Sequence, residues 1–357
     1  MTPLATTLAN TSAKGEGLFN YISLGSGYWV ATLTDTYTAP SDRAQSIAVD
    51  GSGNVYVCGY GLNSSNKNVQ SISKYNNSGT IQWQNTLTDT YTSPSDAAYG
   101  IAVDSSGNVY VCGYGKTSGN VVQSISKYNT SGTIQWQRTL TDTYTFPSDV
   151  AYGIAVDSSG NVYVCGQGFN ASGQQVQSIS KYNNSGTIQW QNTLTDTYTI
   201  PSDRAQSIAV DSSGNVYVCG YGFNSSGKQA QSISKYNTSG TIQWQRTLGY
   251  TYTSPSDAAY GIAVDSSGNV YVCGFGLNAS GNVVQSIAKL PADGSKTGTY
   301  SGTNFGVIYA ASSWTSATSS WTSATSSWTS ATSSWTSATS TWTSATSTWT
   351  TDKALIP

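Results

Sequence analysis

The chain has 357 residues, only 9% of them charged, and a formal net charge of −2. Cations this sparse form no basic stripe and exclude a partner read through nucleic-acid phosphates. No apolar run approaches the roughly 18 residues of a spanning helix, and the many aromatic and β-branched residues exclude a disordered chain.

Residues 1–19 read as a polar N-terminal arm without the apolar core of a secretory signal. Repetition begins at about residue 20. Trp29, Trp83, Trp136, Trp190 and Trp244 recur every 53 or 54 residues, and so do Cys58, Cys112, Cys165, Cys219 and Cys273. In the second full unit, Gly100–Val103 reads as a strand, and Asp104–Asn108 as a turn built on Gly and Asn. Val109–Cys112 alternates in the strand period. After a Gly- and Asn-rich loop come strand-like runs at 123–128 and 133–138, joined by the turn Asn129–Gly132. Four antiparallel strands per unit make one propeller blade, and blades must stack to bury both faces. An open β-solenoid is the rival, but a four-run meander fits a blade better.

The expected fold is therefore all-β, a five-bladed β-propeller over 20–290. Tyr21–Val30 aligns with the second half of a repeat, whereas the last unit loses its fourth run after Leu290. The N-terminal strand is thus expected to close the ring and leave no loose sheet edge. Residues 291–313 form a junction. From 314 to 350 Trp314, Trp321, Trp328, Trp335, Trp342 and Trp349 recur every seven residues, with Ala317, Ala324, Ala331, Ala338 and Ala345 three residues after a Trp. These are a and d positions of a heptad, read as a coiled-coil oligomerisation tail. Ser312 or Ser313 is available as its N-cap. Ser and Thr at the other positions cost about 0.5 kcal/mol each relative to Ala. The helix is therefore expected only in a parallel homo-oligomer that buries the Trp stripe, about 55–60 Å long. A flexible Ser/Thr-rich stalk is the alternative. Residues 351–357 form a short C-terminal end.

No histidine occurs. Ser-His-Asp and Cys-His nucleophiles and HExxH zinc sites are excluded, and no P-loop or dinucleotide fingerprint appears. Gly-x-Gly pairs such as Gly59-Tyr-Gly61 read as turns. The chain is read as a non-enzyme with no cofactor and no metal. The one-per-repeat cysteines read as free, buried, small apolar residues. Asp50, Asp104, Asp157, Asp211 and Asp265 open the DxSGN turns and read as Asx-turn caps, since calcium needs several convergent carboxylates.

A second acidic set lies inside Pro-Ser-Asp, on one rim of the ring. Asp42, Arg43 and Gln45 belong to it in the first unit, and Asp203, Arg204 and Gln206 in the fourth. Asp96 with Tyr99, Asp149 with Tyr152, and Asp257 with Tyr260 mark the others. The rim varies between units while the strands do not, and loops on a rigid scaffold are the usual binding positions. These twelve residues are the candidate ligand-binding set, suited to carbohydrate by stacking and hydrogen bonding. Packing between blades is the competing role for the three tyrosines.

The run GIAVDSSGNVYVCGYG resembles the bacterial SBBP-type propeller repeat and, more distantly, the NHL repeat, over about residues 20–290. That resemblance implies a scaffold and no single function. The run AKLPADGSKTGTY from Ala288, then Tyr309-Ala-Ala-Ser-Ser and the heptads, resembles a segment of bacteriophage structural and tail-associated proteins, over about 285–350. Those carry Leu where this chain has Trp. The resemblance implies a virion structural protein, of tail- or head-fibre type, made in the host cytoplasm. Its partners would be other copies, other virion proteins and host-surface glycans, with no nucleic acid and no membrane insertion. A bacterial extracellular filament or surface adhesion protein, polymerising through the heptads, is the alternative. A hydrolase would need a convergent acid pair, which dispersed carboxylates do not supply.

Overall fold

The structure is a computed structural model that describes residues 29–31, 42–63, 67–87, 96–117, 120–140, 148–170, 173–194, 202–223, 227–249, 256–277, 280, 282–295 and 306–308. The N-terminal arm and the heptad tail, with its Trp and Ala positions, lie outside these residues.

The described chain forms five antiparallel sheets in sequence order. Blade 1 contains β1 (Arg43–Val49), β2 (Val55–Leu62), β3 (Asn68–Tyr75) and β4 (Ile81–Leu87). Blade 2 contains β5 (Ala97–Val103), β6 (Val109–Thr117), β7 (Asn120–Tyr128) and β8 (Ile134–Leu140). Blade 3 contains β9 (Val150–Val156), β10 (Val162–Phe169), β11 (Gln175–Tyr182) and β12 (Ile188–Leu194). Blade 4 contains β13 (Arg204–Val210), β14 (Val216–Phe223), β15 (Gln229–Tyr236) and β16 (Ile242–Gly249). Among the described residues blade 5 contains β17 (Ala258–Val264), β18 (Val270–Leu277) and β19 (Val283–Leu290). A short β20 (Gly306–Ile308) pairs with β16 as an outer edge of blade 4.

The DxSGN turn shows how local sequence sets each hairpin. Asp104 Oδ1 accepts the backbone N–H groups of Ser106 and Asn108, both at 2.9 Å, and Oδ2 accepts from the Asn108 amide and the Tyr110 hydroxyl, also at 2.9 Å. Gly107 follows at φ 79°, where a side chain is strained. Asp50, Asp157, Asp211 and Asp265 hold the same pattern. The Asx-turn reading is correct, and the carboxylates are saturated by their own turn. Among the described residues no acidic, Cys or His cluster could hold a metal ion.

Alternation in β2 sends Tyr56 and Cys58 to one side, where with Ile72 they meet Ala98, Ile101, Val109, Val111 and Tyr128 of blade 2. Equivalent sets join blades 2 to 3, 3 to 4 and 4 to 5. Each fully buried Ile or Val contributes roughly 1.5–3 kcal/mol. The joint is also laced by polar bonds. Trp83 Nε1 donates to Thr130 O at 3.1 Å, and its ring covers Gly132, where an added Cβ would lie 2.8 Å from Trp83 Cδ2. Lys74 Nζ sits 5.2 Å from the Tyr56 ring centroid and donates to the same Thr130 carbonyl at 3.4 Å.

Two expectations need correction. The Gly-x-Gly pairs are not turns: Gly59, Tyr60 and Gly61 lie in β2, paired with β3 as Ser71, Gln70 and Val69. The first glycine of each pair answers a steric demand from the adjacent first strand of the same blade, since an added Cβ at Gly113 would lie 1.9 Å from Ala97 O. The cysteines are free, but only Cys58, Cys112, Cys165 and Cys219 are buried; Cys273 is exposed, since among the described residues no blade covers the far face of blade 5. The strand expected to close the ring, Tyr21–Val30, is described only from residue 29. Blade 5 ends in the turn Pro291–Gly294, and the next described strand, β20, joins blade 4. Trp29 stacks on Tyr75 of blade 1 at 5.8 Å, with Nε1 donating to Asn77 O at 3.1 Å.

Candidate functional site

The innermost strand of each blade starts immediately after Pro-Ser-Asp. Asp96, Asp149, Asp203 and Asp257 are each 1% exposed. Their backbone N–H groups donate to Asn68, Val121, Gln175 and Gln229 carbonyls of the preceding blade, at 3.0 to 3.3 Å. The Asp257 carboxylate also accepts the N–H of Leu277 at 3.1 Å. These four aspartates therefore tie blades together and present no carboxylate to a ligand. Asp42, on the first blade, is half-buried.

Two residues further on, the strand bulges. Ala98 pairs with Gly113 and Gly100 with Cys112, so Tyr99 is the extra residue. Gln45, Tyr152, Gln206 and Tyr260 occupy the same bulge in their blades. A bulge re-aims the side chain it carries. The glycine opposite each bulge makes room for it.

The bulge residues meet a second series that the sequence reading missed: Tyr60, Tyr114, Gln167, Tyr221 and Phe275, at the end of each blade's second strand. Tyr99 lies 5.7 Å from Tyr114 and stacks on Tyr152 of the next blade at 5.5 Å, centroid to centroid. The Arg204 guanidinium sits 5.8 Å from the Tyr152 ring centroid. Tyr260 and Phe275 pair at 5.8 Å. Blade 3 differs because Gln167 replaces the aromatic residue. Its Oε1 accepts the Tyr152 hydroxyl at 3.0 Å and the Gln175 amide at 2.9 Å, while its Nε2 donates to Ser148 O at 3.3 Å. The rim thus brings together Tyr99, Tyr152 and Arg204. Arg43 and Gln45 stand exposed on blade 1, Gln206 is half-buried, and Tyr260 is 53% exposed on blade 5.

Burial and then the neighbouring phenols push the Tyr99 hydroxyl up to about 12. Burial also raises Tyr152, with the Arg204 charge opposing it. Both remain O–H donors near neutral pH. The rim therefore offers aromatic faces, neutral donors and the guanidinium groups of Arg204 and Arg43, while four of its five aspartates are buried. A second groove, about 750 Å³ in volume, runs between blades 2 and 3 beside Lys127, Trp136, Arg138 and Asn184. Its polar groups already serve the joint: Trp136 Nε1 donates to Asn184 O at 3.0 Å and Arg138 Nε to Gly186 O at 2.8 Å.

The model of a β-propeller repeat, SBBP, matches residues 36–65, 90–119, 143–168, 201–224 and 243–275. No curated protein matches the sequence. A Bacteroides caccae protein of unknown function aligns at 15% identity over 62% of this chain and 69% of its own, with a TM-score of 0.37. A Dyadobacter fermentans protein of unknown function aligns at 10% identity over 77% and 84%, with a TM-score of 0.46. The tail fibre of Staphylococcus aureus phage P68 aligns at 10% identity over 70% and 74%, with a TM-score of 0.24. Five sheets of antiparallel strands coincide with five segments similar to the SBBP β-propeller repeat.

Proposed function

We propose that this chain is a virion appendage protein of a bacteriophage, of tail- or head-fibre type, whose blades display an aromatic rim for adhesion to host-surface glycans. The observation that carries adhesion is the continuous run Tyr114, Tyr99, Tyr152 and Arg204 across three blades. Sugar rings stack on aromatic faces, and protonated phenols and a guanidinium supply donors to their hydroxyl or acidic groups. The heptad tail would gather several heads, so that weak sites act together. The virion setting draws support from the resemblance of residues 285–350 to phage tail-associated proteins. Catalysis has no support here, since the chain lacks histidine and four of the five rim aspartates are buried.

The test is a glycan array probed with the full chain. Binding is expected, and Tyr152→Ala or Arg204→Ala should weaken it about threefold to tenfold. A blank array from folded protein overturns adhesion and leaves decoration of the particle. A second reading, an extracellular filament or surface adhesion protein, is favoured by the two open end faces of the blade array.

A further inference from the structure

Of the chain's four arginines, two serve the joints between blades. Arg138 Nε donates to Gly186 O at 2.8 Å and Arg246 Nε to Gly294 O at 2.7 Å. Arg43 is exposed on blade 1. Arg204 is different. Its Nε is buried and meets no acceptor among the described residues, and no described carboxylate forms an ion pair with it. The place is also unusual for a charge. Arg204 pairs with Tyr221, and the residues at the same register in blades 2, 3 and 5 are Ala97, Val150 and Ala258, exposed by 1%, 9% and 0%. A strand position that elsewhere buries a small apolar side chain carries a guanidinium in blade 4.

Partial burial of a guanidinium without a counter-ion is costly, and a local break with the pattern of a repeat is expected where a site takes a ligand. Resting on the glycan-adhesion reading, we propose that the rim takes an acidic sugar, a hexuronic acid residue, and that Arg204 binds its carboxylate. The guanidinium lies over the Tyr152 ring, 5.8 Å from its centroid. Burial raises the Tyr221 hydroxyl, as it does that of Tyr152, and the Arg204 charge opposes both. The guanidinium is thus within electrostatic reach of a phenol on blade 3 and of one on its own blade.

Stacking occupies a face of the guanidinium and leaves its N–H groups, which point outward in its plane, for a ligand. Nε is shut away from solvent, so only the terminal N–H groups can reach one. Those groups form the fork that matches the two oxygens of a carboxylate, with two parallel charge-assisted bonds. A lysine would bring the same charge without the fork. The Tyr152 hydroxyl is already held by Gln167 Oε1 at 3.0 Å, so the surface on which Arg204 rests is fixed before a ligand arrives. Gln206, at the bulge two residues further on, is half-buried and supplies an amide to the hydroxyls of the same sugar. Tyr99, stacked on Tyr152 at 5.5 Å, continues the aromatic surface for the neighbouring sugar of a chain.

In the test, the full chain is titrated with oligomers of galacturonic, glucuronic and mannuronic acid and with their methyl esters, which keep the ring and lose the charge. At least one acid is expected to bind about tenfold more tightly than its ester. Arg204→Ala should bind acid and ester alike, and Arg204→Lys should recover only part of the preference. Blades 2 and 5 bury alanine at this place, so Arg204→Ala should unfold at no lower a temperature than the parent. A marked fall would make the arginine a structural clamp on Tyr152 and overturn the proposal. Equal binding of acid and ester, or binding of neutral array glycans alone, overturns the acidic class and leaves adhesion standing. No binding to any glycan overturns both. An acid preference that survives Arg204→Ala but is lost in Arg43→Ala moves the carboxylate to blade 1 and likewise overturns the assignment.

Discussion

Blades 4 and 5 carry nearly the same second strand, VYVCGYGF and VYVCGFGL, yet they sit in different environments. Cys219 is buried and Cys273 exposed, and Ile233 is at 0% exposure where Ile287 is at 75%. Burial pushes the Cys219 thiol well above its ordinary range. Within this array a residue's energetic weight comes from the neighbouring blade rather than from its own strand, as nearest-neighbour coupling in repeat proteins requires. The clearest test pairs Ile179→Ala with Ile287→Ala. The first empties a joint and should cost about 2–5 kcal/mol. The second removes an exposed side chain and should cost less than about 0.5 kcal/mol in dilute monomer. Denaturant unfolding of both variants measures the gap, and equal losses would show that the end faces are covered even in the monomer.

The Asx turns give a smaller version of the same contrast. Burial pushes the Asp104 carboxyl up, but hydrogen bonds from Asn108, Tyr110 and Ser106 outweigh it and hold the group below its usual value. A depressed carboxyl contributes stability above its unfolded pKa and loses it as pH falls through the folded value. Stability is therefore expected to decline on acidification through and below the ordinary aspartate range. Asp104→Ala should cost about 1–3 kcal/mol, through the donors it strands, and flatten part of that acid limb. Asp265→Ala, in the exposed turn of blade 5, should cost less, because its stranded donors meet water. Thermal unfolding from pH 7 downward compares the two.

The blades were legible because each repeat states them locally. VYVC alternates in the strand period, and Asp104 with Asn108 and Gly107 encodes its own turn. The joints were legible only in part, since Trp, Cys and Ile recur without naming the blade they face. The rim proximity of Tyr99, Tyr152 and Arg204 was legible in the repeat, whereas the burial of Asp96, Asp149, Asp203 and Asp257 was not. Asp96 looks like a surface loop residue until Asn68, in the preceding blade, is brought to its N–H. Tyr114 was hidden inside Gly-Tyr-Gly. The first of those glycines, Gly113, marks the close approach of Ala97 O, a contact between strands that composition alone presents as a turn. The alignment of Tyr21–Val30 with the second half of a repeat assigned it as the missing fourth strand of blade 5, and among the described residues Trp29 takes, on blade 1, the place that Trp83 takes on blade 2.

The rim sets blade 3 against its neighbours, and here the expected effect on stability is smallest. Blades 1, 2 and 4 have tyrosine, and blade 5 phenylalanine, where blade 3 has Gln167. Gln167 fixes the Tyr152 hydroxyl and so holds the ring stacked between Tyr99 and Arg204. Gln167→Ala removes one acceptor shared by two donors and should cost about 0.5–1.5 kcal/mol, well under the joint variants. Its effect on ligand binding should instead match that of Tyr152→Ala, because a ring free to turn no longer presents a fixed face. Gln167→Tyr separates the two roles. It restores the residue of the other blades, leaving packing largely intact, but a phenol cannot accept from both Tyr152 and Gln175 in the same geometry. If Gln167→Tyr binds glycan as the parent does while Gln167→Ala does not, an aromatic neighbour is enough to hold Tyr152. If neither binds, the amide itself positions the ring, and blade 3 is the centre of the site.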